Sequence, residues 1–326
     1  MQALVDKFTP VFYLHSDEKH YPSSIDFILK NTNLEHNKQI IDTNITTKKL
    51  WDFTQKNYPG QTGLENLYLL FKNPTQDLLG QKDLVNVPIY AVVKSKNDRW
   101  IIYYFMLFPF NLGKNVLLVQ QAGDHEGDLE HLTVEVDKTT NQVIRVHYGA
   151  HGTADGRWVE ARDLPMVDGK IVAYIGKGGH GLYPAPGVAY RIFGLANDVM
   201  NTAVKWSPKV IYIPLVDQPG WNPDRDGWIY FAGRLGFDGI PLLSDKGWFK
   251  YGDKEDNELE PPPIFDEKYL FWYRLSKYST LFGVLLFIIG FGLYQNKVSK
   301  KVFFGIYLVI IAVLVKVLQD IIQKVA

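Results

Sequence analysis

The stretch Arg99–Phe108, RWIIYYFMLF, decides the fold class. It is dense in β-branched and aromatic residues, which fit the pleated surface of a sheet. Five further stretches share its character: Val87–Lys94 (VPIYAVVK), Leu132–Asp137 (LTVEVD), Gln142–Tyr148 (QVIRVHY), Lys170–Ile175 (KIVAYI) and Val210–Val216 (VIYIPLV). Turn signals separate them, at Lys96-Asn97-Asp98, Lys138-Thr139-Thr140-Asn141 and Asp168-Gly169. Leu132–Asp137 and Gln142–Tyr148 read as a hairpin whose alternation puts Val134 and Val136 on one face. Helical stretches are few, with Ser24–Thr32 and Arg191–Val204 the best. The reading is mainly β: a β-sandwich domain with a few short helices over residues 1–252.

Outward from that core the composition sets limits. The chain has 326 residues, which allows one large domain or two. It contains no cysteine, so disulfide frameworks, thiol nucleophiles and Cys-rich zinc sites are excluded. Its formal net charge is +0, which gives no global basic field and argues against nucleic acid as a partner.

Residues 253–267 form an acidic, Pro-rich linker, in which Pro261-Pro262-Pro263 favours an extended spacer. Residues 268–326 read as a transmembrane helical hairpin. Tyr278–Tyr294 carries no charge and Val302–Leu318 carries only Lys316. Each run, as a helix, is about 26 Å long, at the short edge of a bilayer core. Trp272, Tyr273, Tyr278 and Tyr294 suit an interfacial belt, and Lys316 can snorkel. The alternative is a helical pair buried in a soluble core, although both runs are apolar on all faces. The N-terminus has no basic segment followed by an apolar run, so it does not read as a secretory signal peptide. The expectation is an integral membrane protein with a C-terminal anchor, its bulk domain facing the cytosol and the lipid bilayer as partner.

The richest chemical cluster is Gly123-Asp124-His125-Glu126-Gly127-Asp128-Leu129-Glu130-His131, just before a strand. In a strand entered at Asp128, residues 128 and 130 share a face and His125 reaches over from the turn. His151, in Ala150-His151-Gly152, and His180, in Gly179-His180-Gly181, lie at later strand ends beside glycines. His125, Asp128, Glu130, His151 and His180 are therefore the candidate metal ligands. One histidine with two carboxylates suits Mg²⁺, Ca²⁺ or Mn²⁺, and a second histidine admits Zn²⁺. A buried network of carboxylates and histidine, satisfied by hydrogen bonds, accounts for the same pattern. Gly176-Lys177-Gly178-Gly179-His180-Gly181 matches G-x-G-x-x-G, but Pro184 and Pro186 block the helix a dinucleotide site needs. Trp221–Trp228 has acidic spacing faintly like a calcium loop, yet reads better as an Asx-type turn.

Taken together, Phe8–His15, Tyr21–Ser24, Tyr103–Asn111, Gly123–Val134, His147–Gly152 and Ala173–Gly187 resemble the vacuolar protein sorting-associated protein 62 family, over roughly residues 3–250. Asp128-Leu129-Glu130-His131, with His125 before it, also resembles the core motif of the necrosis- and ethylene-inducing-peptide-like toxins. That second resemblance implies a β-sandwich, a divalent cation held by His125, Asp128 and Glu130, and engagement of membrane sphingolipids. The first implies a part in vacuolar trafficking.

These readings order the functions. First comes a membrane-anchored, non-enzymatic module whose loops bind a lipid, glycan or protein. Next is a structural membrane subunit, with protein partners in a larger assembly such as an organelle complex or viral envelope. Last is a metal-dependent hydrolase with Glu126 or Glu130 as base and His151 and His180 lining the site. No nucleophile–base pair or cofactor motif demands a reaction.

Overall fold

The computed structural model describes residues 1–58, 66–116, 119–122, 124–150, 156–189, 197–216 and 218–236. The linker expected over residues 253–267, the hairpin expected over residues 268–326, and His151 lie outside the described residues. Among the described residues, no helix is long and apolar enough to cross a membrane.

The protein is mainly β, built around a six-stranded sheet. Its order is β11 (Arg157–Glu160), β10 (Val143–Tyr148), β9 (His125–Asp137), β6 (Arg99–Asn111), β5 (Ile89–Lys96) and β18 (Val210–Tyr212). All pairs are antiparallel except β18 with β5. The expected hairpin is β9–β10, with Val134 opposite Val146.

The central strand β6 explains the architecture. Its residues from Ile101 to Pro109 are all buried, so both of its faces need cover. Ile102, Tyr104, Met106 and Phe108 face one core, with Phe12 and Leu14 of β1 (Val11–Leu14) and Ile171, Ala173 and Ile175 of β13 (Lys170–Ile175). Ile101, Tyr103, Phe105 and Leu107 face a second core. That core is completed by α2 (Ile25–Asn31), β2 (Thr32–His36), α3 (Thr47–Asn57), β4 (Leu67–Phe71) and residues 228–235. The arrangement thus has layers on both faces of the main sheet, one more than a two-layer sandwich. An alternating strand would have needed cover on one face only.

The first flanking sheet runs β12 (Met166–Val167), β13, β1, β17 (Val204–Trp206), with β14 (Leu182–Tyr183) pairing β13. Within it β1 and β13 are parallel, with Phe12 opposite Ala173. The second runs β19 (Arg234–Leu235), β4, β2, β3 (Gln39–Asp42). Two small ribbons join β7 (Lys114–Val116) to β8 (Val119–Ala122), and β15 (Gly187–Ala189) to β16 (Asp198–Met200). Short helices α1 (Gln2–Lys7), α4 (Pro74–Asp77) and α5 (Pro223–Asp226), with 3-10 turns at Leu84–Asn86, Ala161–Asp163 and Gly227–Tyr230, complete the described elements.

Local chemistry accounts for the elements. Ser24 caps α2 by accepting from the Phe27 N–H, as the Ser24–Thr32 expectation requires. Helix α3 was not read from the sequence, although Thr46 caps it and Lys48 pairs with Asp52 one turn on. The helix expected over Arg191–Val204 is corrected: Asp198–Met200 and the start of β17 fall within it as strands. There Asn201 accepts from the Ala203 N–H in an Asx turn, and β-branched Val199 and Val204 sit on the sheet side of their preferences. The strand expected over Val210–Val216 ends at Tyr212, short of Pro214, which has no N–H for a ladder. Asn222 opens α5 by accepting from the Asp224 N–H, the Asx arrangement anticipated for that segment.

A buried acid–histidine clamp

The site follows from two pairings. Because β1 and β13 are parallel, the chain leaves both strands at the same end of the sheet. That sets Glu18, after β1, beside the glycine-rich turn Gly176–Gly181 after β13, and the Gly178 N–H donates to Glu18 Oε2 at 2.8 Å. The antiparallel β6–β9 register then places Asp128 opposite Phe108.

His180 sits between these elements. Its backbone lies in the left-handed region, at φ 54, reached through a turn in which the His180 N–H donates to the Gly176 carbonyl. Its ring stacks flat on Phe108, with centroids 3.8 Å apart and planes 7° from parallel. Its Nδ1 donates to Asp128 Oδ2 at 3.1 Å, and its Nε2 faces Glu18 Oε1 at 3.8 Å. At that distance the Glu18 contact is an ion pair, and Nε2 makes no hydrogen bond. All three groups are enclosed: relative exposure is 0% for His180, 2% for Asp128 and 5% for Glu18.

The carboxylates are otherwise met by N–H donors. Asp128 Oδ2 also accepts from Asn111 Nδ2 at 2.8 Å, and Oδ1 accepts from the Leu129 N–H at 3.0 Å. Glu18 Oε1 accepts from the Lys19 and His20 N–H groups, at 2.8 and 2.9 Å.

These contacts fix the charge states. Burial works against the Glu18 carboxylate, but His180 and the backbone N–H groups of His20 and Gly178 outweigh it and bring its pKa down to about 2. Burial likewise opposes the His180 cation, yet Asp128 and Glu18 outweigh it and hold its pKa up at about 9. At neutral pH the centre is an imidazolium between two carboxylates.

Of the five candidate ligands, Asp128 and His180 are brought into direct contact. Glu130 is buried two residues further along β9, in the row that continues through Leu132, Val134 and Val136. His125 is the first residue of β9, and its Nδ1 is taken by the Gly127 carbonyl at 2.9 Å. Among the described residues no three His, Asp or Glu side chains are arranged to hold a metal ion. A hard cation needs several oxygen ligands, and Asp128 accepts from nitrogen donors on His180, Asn111 and Leu129.

Sequence reasoning missed Glu18. Its only cue, a carboxylate among polar residues after a strand, is common, and its partner lies 160 residues away. Asn111, the last residue of β6, is likewise a donor to Asp128 that no sequence signal singled out.

The entry to β9 depends on a glycine. Gly127 has φ 67, and a Cβ there would lie 2.5 Å from the Leu235 carbonyl oxygen and 2.6 Å from Leu235 Cγ. Gly127→Ala should therefore destabilise the domain by about 1–3 kcal/mol from backbone strain alone, with the clash in addition. Urea denaturation checks this, and an unchanged midpoint would contradict the close β9–β19 crossing.

The fold and the clamp define a mainly β protein with a buried ionic centre. The family model for vacuolar protein sorting-associated protein 62 matches residues 1–210, and the chain belongs to that family. No curated protein matches it. Similar solved structures include NLPPya in complex with mannosamine, at 13% identity and TM-score 0.39, covering 72% of this chain and 82% of that one. Another is the non-toxic HaNLP3 protein, at 12% identity and TM-score 0.38, covering 77% and 89%. A third is Necrosis and Ethylene inducing Protein 2 from the causal agent of cocoa's Witches Broom disease. It is 13% identical with TM-score 0.33, covering 64% and 72%.

Proposed function

We propose that this chain is a membrane-anchored, non-enzymatic binding module, with the β domain on the cytosolic side meeting a lipid, glycan or protein partner. The enclosure of the acid–histidine cluster is the observation that carries the reading. Glu18, Asp128 and His180 are spent on one another and on backbone N–H groups, so they hold the fold together instead of facing a substrate. His180, which the hydrolase reading set at the lining of its site, is thereby held in the interior. The two apolar runs, Tyr278–Tyr294 without a charge and Val302–Leu318 with only Lys316, support the anchor, and the family's name agrees with work in membrane trafficking.

Alkaline carbonate extraction tests the anchor. Full-length chain should stay in the membrane pellet, and chain ending at Gly252 should be released. Full-length chain appearing in the soluble fraction without detergent would end this reading.

A further inference from the structure

Three aromatic side chains meet where α3 packs on the segment around α5. They are Trp51 of α3, Trp221 just before α5, and Tyr230 at the end of the 3-10 turn Gly227–Tyr230. Ring centroids are 4.8 Å apart for Trp51 and Trp221, 5.4 Å for Trp51 and Tyr230, and 6.3 Å for Trp221 and Tyr230. The planes cross at 62°, 79° and 80°, so the rings stand as the walls of a corner and no two lie flat on each other. All three keep partial exposure to solvent.

Local structure fixes each wall. The Thr47 hydroxyl, one turn before Trp51, reaches the Pro223 and Asp224 carbonyls and ties α3 to α5. Gly227 permits the close approach: a Cβ there would lie 2.8 Å from Trp51 Cβ and 2.9 Å from the Thr47 carbonyl oxygen. The Tyr230 hydroxyl accepts from the Val216 N–H at 2.8 Å, which pins that ring. A ligand meeting the corner therefore finds rings that are already ordered.

The corner also carries an unanswered donor. Trp221 Nε1 is shielded from water, and no acceptor among the described residues meets it. A buried indole N–H normally has a partner. Such a donor repels a cation, so the rings do not suit an ammonium group, and it calls for a carbonyl oxygen. Aromatic walls beside an indole N–H suit a polyproline II segment: its ridged apolar surface packs between rings, and its carbonyls have no internal hydrogen bonds.

The chain itself contains such a segment, Pro261-Pro262-Pro263, within Glu258–Phe265, ELEPPPIF. Gly236, six residues after Tyr230, precedes Pro261 by 25 residues. Extended, that tether spans about 80–90 Å, ample to bring the prolines back to the corner. Tethering holds them there at an effective concentration on the order of millimolar. We propose that Trp51, Trp221 and Tyr230 form a docking site for the chain's own Pro261-Pro262-Pro263, with Trp221 Nε1–H donating to a carbonyl of that segment. The inference goes beyond the proposed function and makes no use of the anchor.

Nitrogen-15 indole NMR of the full-length chain in detergent micelles tests it, with the Trp221 Nε1–H signal assigned through Trp221→Phe. Pro261→Ser, Pro262→Ser and Pro263→Ser together should move that signal from its wild-type position. The synthetic peptide ELEPPPIF, added at about millimolar concentration, should return it, and ELESSSIF should not. A Trp221 signal at the same position with and without the three prolines overturns the inference, whatever the peptide does. A signal that moves on substitution but is not returned by ELEPPPIF also overturns it, because the prolines then act from somewhere other than the corner.

Discussion

Replacing His180 with alanine should destabilise the β domain by about 3–5 kcal/mol, because it strands two buried carboxylates without their cation. Against a typical total of about 5–15 kcal/mol, that is enough to leave a large unfolded fraction. The loss comes less from the contacts removed than from the groups left behind. Asp128 and Glu18, 2% and 5% exposed, would have to protonate, draw in water or separate. The effect should be strongly non-additive. Glu18→Gln with Asp128→Asn in the His180→Ala background should recover part of the loss, since no charge is then left buried. Denaturant titration of residues 1–252 gives both numbers. A loss below about 1 kcal/mol for His180→Ala would mean that the clamp behaves like a solvent-screened surface pair.

The same clamp fixes how stability should vary with pH. His180 has its pKa raised from 6.5 to about 9 in the fold. Its contribution is complete below pH 6.5 and is lost as pH rises through 9, on the order of 3 kcal/mol in all. Glu18 is lowered from 4.5 to about 2, so its contribution is complete above pH 4.5 and lost as pH falls through 2. His147 acts in the opposite sense to His180. Burial first, then the Arg145 charge, lowers its pKa from 6.5 to about 4, so it withdraws stability as pH falls from 6.5 to 4. Together these place the maximum near pH 6.5, with a decline on each side. The alkaline limb belongs to His180, and His180→Gln should flatten it between pH 6.5 and 9. A wild-type curve flat over that range would show that His180 is neutral in the fold.

The sequence carried these features unevenly. Strands in the main sheet were legible because β-branched and aromatic runs punctuated by turn residues are local signals, as at Lys170–Ile175, which matches β13 residue for residue. The second covering layer was legible only in retrospect, from the unbroken apolar run of β6, which has no wet face. Helix α3 carries Trp51, Phe53 and three lysines, and its cap looks like any threonine in a polar stretch. The Arg191–Val204 expectation failed where an Asx turn and sheet packing overrode a weak helical pattern. At the site, Asp128 and His180 stood out because glycines and acidic residues crowd around them. Glu18 did not, since its role comes entirely from parallel pairing across 160 residues of chain. No local window contains that information.

That parallel pairing has a consequence for how the protein is made. β1 leaves the ribosome well before its neighbours β13 and β17, which are encoded some 160 and 190 residues later. At about 5–20 residues per second, β1 waits on the order of 10–40 s for a partner. Throughout that interval Phe12 and Leu14, fully buried at the end, are exposed on a nascent chain that can neither close its first core nor assemble the clamp. β1 is thus made long before it can fold, and a chaperone that shields apolar nascent segments has a long opportunity there.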